Sequence, residues 1–124
     1  MKLHRQIGEL RHALQSYDAT GFVIDGRHYS GGVLLSRRLL HYPWGPAQAA
    51  SLCVEDFQLL APEIPEVLLL GTGLKQHLDV SLLRELRRAG FAVEVMDSAA
   101  ACRTYGVLLA EDRQVAAALL PLSA

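Results

Sequence analysis

Two cysteines in 124 residues cannot build a disulfide framework. Cys53 and Cys102 form no CxxC pair and match no zinc spacing. Both fall in segments with helical patterning and read as buried free thiols. Neither sign of charge dominates. Twelve lysines and arginines face thirteen aspartates and glutamates, for a net charge of -1, with no charged tail. A nucleic-acid surface needs a marked basic excess, so that class is excluded. No apolar run approaches the ~20 residues of a membrane-spanning helix. The N-terminal Met1-Lys2-Leu3-His4-Arg5-Gln6 carries charge but no apolar stretch behind it, so no secretory signal is visible. These absences describe a soluble, cytoplasmic chain.

Catalytic signatures are missing as well. No nucleophile-elbow pattern is present, and no acid–base pair stands out by spacing. Ser36, His41 and Asp56 can be assembled on paper, as can Cys102 with His77, but any chain with five histidines allows that. His4 and His12 would lie two turns apart on a helix, with no third metal ligand nearby, and read as solvated. The sequence thus offers no catalytic residue, no metal site and no cofactor, and leans away from an enzyme.

What is present is apolar. Hydrophobic residues make up 51% of the chain and charged residues 20%. A single domain of this length has little interior for such an excess, which predicts apolar surface covered by a second copy or a protein partner. The expected organisation is one domain over 1–124. Residues 1–16 form an arm or a short amphipathic helix, and 17–124 form the core.

The core is organised around residues 65–97. Val67-Leu68-Leu69-Leu70 suits a strand covered on both faces. Gly71-Thr72-Gly73 follows, then an amphipathic run to Gly90, then Phe91-Ala92-Val93-Glu94-Val95-Met96. That is strand, glycine loop, helix and strand. Asp79 or Ser81 can cap the first helix, and Asp97 or Ser98 a second one over 99–110. Val115 to Leu120 is a last apolar strand. Residues 66–70, 92–96 and 115–120 are predicted to lie side by side as the dry middle of one sheet. Upstream, residues 17–42 read as one antiparallel meander, with Asp25-Gly26 as its hairpin turn and Ser30-Gly31-Gly32 as a bulge or bend. Residues 47–61 have helical spacing.

Three features are candidate sites. Gly71, Thr72 and Gly73 leave a strand at the end where open α/β sheets bind ligands, and amides at a helix start attract anions. A bare GxG is weak, because the third glycine of a dinucleotide fingerprint is replaced by Gln76, and Lys75 begins no phosphate loop. A tight turn that only glycine fits is the simpler account. Asp97 could lie across the crevice from Gly71 and Thr72, or only cap its helix. Trp44, between Pro43 and Pro46, either closes one end of the core or anchors a partner. Gly106 sits mid-helix, where glycine costs about 1 kcal/mol against alanine. Arg103 can pair with Glu111 or Asp112.

The run from Pro65 to Gly73, the strand 90–96 and the stretch Ala100 to Leu119 together resemble a family of small domains of unknown function. It includes the mitochondrial assembly factor 3 of NADH:ubiquinone oxidoreductase (complex I) and the adipogenesis-associated domain protein. The resemblance spans about Ala19 to Pro121 and takes in Asp25-Gly26, Tyr29-Ser30-Gly31 and Trp44. It implies a three-layer α/β domain, with a mixed central sheet, flanking helices and a small N-terminal antiparallel β layer. It also implies action through protein–protein contact, with no catalytic residue to carry over. The pocket suggested for the family matches here at Gly71, Thr72 and Gly73. Where the family usually has asparagine, this chain has Gly106. Two functions therefore compete: an assembly-factor-like interaction domain, and a small-molecule or anion binder or weak enzyme at the glycine loop.

Overall fold

The computed structural model describes residues 12–123. The part of the expected arm or helix at 1–11, His4 included, lies outside them. Residues 14–16 are strand rather than helix. Strand β1 (Leu14–Asp18) pairs antiparallel with β2 (Gly21–Ile24), and β2 with β3 (Arg27–Tyr29). Leu14 and Tyr17 pack on the buried Phe22 and Ile24, which explains the strand.

The predicted meander is divided between two sheets. After β3 the chain passes Gly31 and Gly32 and enters a five-stranded sheet as β4 (Val33–Ser36) and β5 (Leu40–His41). Gly32 allows the change, since a Cβ there would lie 2.1 Å from the Trp44 carbonyl oxygen. The second sheet is completed by β6 (Val67–Gly71), β7 (Val93–Met96) and β8 (Val115–Leu119), in the order β5-β4-β8-β6-β7. Strands β7 and β8 run parallel to β6, while β4 runs antiparallel to β8 and β5. The sheet is therefore mixed, as expected.

The dry middle is narrower than the sequence suggested. Strands β6 and β8 are central and buried, but β7 is an edge strand with Glu94 exposed. Its Val93 is buried because alternate side chains face opposite sides of the sheet. The same alternation divides the core. Leu34, Leu68, Leu70, Ala116 and Ala118 face one layer. That layer is helix α1 (Val80–Arg88) and the segment before β6. Val33, Leu35, Leu69, Val115, Ala117 and Leu119 face the other, formed by helix α2 (Ser98–Ala110) and the small sheet.

The segment predicted as a helix over 47–61 consists of two runs of 3₁₀ turns, Ala49–Ser51 and Val54–Glu63. Phe57 and Leu60 are buried three apart, the repeat of a 3₁₀ turn. Pro62 lies inside the second run instead of closing it, and it has no N–H to donate to an α-helical ladder. Cys53 precedes this run, with its amide held by Asp56 Oδ2 at 2.9 Å, and is exposed rather than buried.

Cys102, on α2, is buried, and that burial pushes its thiol pKa up to about 12. The Cys53 thiol is also raised, first by its hydrogen bond with Glu55, then by desolvation and by Asp56. Native protein at pH 8 should lose one thiol to a water-soluble disulfide reagent, more slowly than a free cysteine does. The second should react only on unfolding. The raised Cys102 value favours the native state below the ordinary thiol pKa, and this contribution fades as pH rises toward 12. Two fast thiols would contradict the buried placement.

Gly106 has no packing reason. It is exposed on α2, its φ is not positive, and a Cβ there meets nothing within 4 Å. Gly106→Ala should stabilise the fold by about 1 kcal/mol in urea denaturation.

Candidate functional site

The glycine loop is held by a buried serine. Ser98 Oγ accepts from the Gly73 amide at 2.8 Å and donates to the Leu120 carbonyl at 2.6 Å. The Ser98 amide returns to the Gly73 carbonyl at 2.8 Å, and the Leu120 amide to the Gly71 carbonyl at 3.0 Å. Two strand ends and the start of α2 thus meet at one hydroxyl. Gly71 permits it, because a Cβ there would lie 2.9 Å from Ser98 Cα and Oγ. Gly73 is needed for its conformation, with φ +99°. The tight-turn account fits both glycines.

The anion cradle expected at these residues lacks its donors. The Thr72 amide is bonded to the Met96 carbonyl at 3.0 Å and the Gly73 amide to Ser98. No helix starts at the loop. Thr72 Oγ1 donates to the Lys75 carbonyl at 2.7 Å and accepts from the His77 amide at 2.9 Å, closing an irregular segment. Only at Asp79, whose carboxylate accepts from the Leu82 amide, does α1 begin. Asp97 caps α2 through the Ala100 amide at 2.8 Å.

Beside the loop lies a groove of about 510 Å³, lined by residues 47–50 and 72–77 and by Leu120, Pro121 and Ser123. Thr72 and Gly73 reach it; neither Gly71 nor Asp97 lines it. Its walls are mixed: alanine, leucine and proline alternate with Gln48, Thr72, Lys75, Gln76, His77 and Ser123, and Leu74 is 57% exposed. No local pattern marks residues 47–50 and the C-terminal 120–123 as the opposite wall. The loop also covers the open edge of β7. Ala92 and Met96 carbonyls bond to β6, so that of Val95 points away from it, and Gln76 Nε2 donates to Val95 at 2.9 Å. A capped edge carbonyl discourages strand addition.

Trp44 is 5% exposed. Its ring meets Phe57 edge-on at 5.5 Å, and Nε1 donates to the Asp56 carbonyl at 2.6 Å. One edge contributes to a second hollow of about 350 Å³ beside the exposed Leu59. Arg103 does not pair with Glu111 or Asp112; it donates to the Tyr17 hydroxyl at 3.0 Å, which joins α2 to the small sheet. Asp112 instead lies 3.5 Å from Arg37. His12 is not simply solvated, since Nδ1 lies 2.7 Å from Asp25 Oδ2. Among the described residues no three histidines, cysteines or acids cluster as a metal site.

Ser98→Ala would leave the buried Gly73 amide and Leu120 carbonyl without this partner. The expected cost is roughly 2–4 kcal/mol, read from urea denaturation. A change below 1 kcal/mol would mean that the hydroxyl does not tie the loop.

Comparison with known proteins agrees with this fold. A zebrafish (Danio rerio) protein named NADH dehydrogenase (ubiquinone) 1 alpha subcomplex assembly factor 3 is 40% identical over 113 residues. The match covers 87% of this chain and 63% of the zebrafish protein. The chain thus spans about three-fifths of the length of the assembly factors it matches. A Francisella tularensis protein named 13 kDa major membrane protein is 30% identical, over 80% of this chain and 82% of its own. The crystal structure of a Bordetella parapertussis protein superposes with a TM-score of 0.80 at 33% identity, covering 90% of this chain and 97% of that one. The profile of one family, described as protein of unknown function (DUF498/DUF598), matches residues 14–120. That match takes in both sheets, both helices and the groove-forming loop, and the chain belongs to this family.

Proposed function

We propose that this chain is a non-enzymatic protein-interaction domain of the assembly-factor kind, and that the groove beside Thr72 and Gly73 receives the partner. One observation carries the reading. A groove of about 510 Å³ has an exposed leucine, Leu74, and three alanines among its lining residues, and the loop beneath is fixed from within. A pre-formed concave apolar surface loses little entropy when an apolar side chain enters it. The relationship to assembly factors supports the same reading. The competing occupant is a small anion or organic acid held by Lys75 and His77, which line the same groove.

A photo-crosslinking residue at position 76 should trap one protein in cells. Leu74→Asp should abolish the adduct and leave urea stability within about 0.5 kcal/mol, as for other surface changes. Thermal stabilisation of purified protein by phosphate or an organic acid, without an adduct in cells, would favour the small-ligand occupant.

A further inference from the structure

The outer face of α1 carries a surface that neither the groove nor the core uses. Leu82 and Leu86 are buried on the inner side. At 100° per residue, Val80, Arg84, Arg87 and Arg88 fall within one arc of about 100° on the opposite side. Val80 is 64% exposed, and Leu78, two residues earlier, is 59% exposed. All three arginines are exposed, and none of their guanidinium groups has a hydrogen bond or ion pair among the described residues. The face therefore has exposed aliphatic side chains at its N-terminal end and three unpaired guanidinium groups along it. Lys75 lies on the adjoining loop. The acidic residues of this segment are Asp79, which caps the helix, and Glu85, at the margin of the arc. A chain with a net charge of -1 thus collects positive charge on one helix face.

We infer that the Leu78–Arg88 face binds an anionic lipid surface from the side, with Leu78 and Val80 entering the interface and Arg84, Arg87 and Arg88 meeting headgroup phosphates. Two observations favour a lipid surface over an acidic peptide. None of the three arginines lines the groove or the hollow at Trp44. The outer face of a helix lying on a sheet is convex, and its guanidinium groups can approach a plane of phosphates together. Arginine stems also cover apolar surface while their heads remain at the polar boundary. No helix among the described residues is long and apolar enough to cross a membrane, so the contact is interfacial. This inference does not rest on the proposed groove partner, because Leu78 and Val80 do not line the groove.

The test is co-sedimentation of the full chain with vesicles of phosphatidylcholine alone and of phosphatidylcholine with 30% phosphatidylglycerol. Binding is expected only to the anionic vesicles, and it should fall steeply between 50 and 500 mM salt (about a threefold shorter Debye length). Arg84→Gln with Arg87→Gln should weaken partitioning roughly 30-fold, from the usual contribution of a basic residue near an anionic surface. Leu78→Ser with Val80→Ser should weaken it too, while Leu74→Asp should leave most of it intact. Equal binding to both vesicle types, no binding to either, or no effect of the paired arginine changes would overturn the inference. Retention of the chain on polyglutamate without retention on anionic vesicles would also overturn it and assign the face to an acidic protein.

Discussion

One buried hydroxyl joins the parts that matter. Ser98 Oγ bonds to Gly73 on one side and Leu120 on the other. It thereby connects the ends of the two central strands to the first turn of α2. Each bond replaces water at a backbone group that has no other means of satisfaction in the interior. The approach is close enough that Gly71 must lack a side chain. The groove wall formed by residues 72–77 hangs from this junction, so its shape follows from backbone geometry more than from the side chains that line it.

The strand that makes the junction possible is β8. Its residues, Val115–Leu119, are all buried, and three of the five are alanine. Alanine is a poor strand former by preference. Here it lies between β4 and β6 with layers on both faces, Ala117 turned toward the α2 layer and Ala116 and Ala118 toward the α1 layer. Beyond it, Leu120 crosses toward Gly71 and Pro121 forms part of the groove. Burial decides the conformation of this segment against its local preference.

The molecule presents two surfaces of different chemistry on neighbouring elements. The groove is concave, of mixed polarity, and attached to a fixed loop. The outer face of α1 is convex and basic. Between them, Gln76 covers the open edge of β7 and Asp79 starts the helix. The irregular segment 72–79 therefore separates two surfaces and caps one carbonyl of the β7 edge.

Local signals in the chain were sufficient for the strand–loop–helix–strand order around residues 65–97. They also placed Asp79 and Asp97 among the candidate caps, beside Ser81 and Ser98, and marked the Asp25-Gly26 turn and the two-sided burial of β6. Each depends on residues within a few positions of one another: a carboxylate three residues before an amide, a glycine at a positive φ, or an unbroken apolar run. What depended on distant partners could not be read that way. The edge position of β7, the division of the N-terminal strands between two sheets and the 3₁₀ winding of 54–63 followed from packing between layers. Thr72 and Gly73 were legible as a loop beside a crevice, but their amides were already engaged by Met96 and by Ser98, 25 residues away from Gly73. Residues 47–50 carry no pattern of their own and became a groove wall only because the sheet brings 72–77 and 120–123 to them. A sequence fixes which backbone conformations are cheap; it is the folded chain that decides which polar groups are still free to meet a ligand.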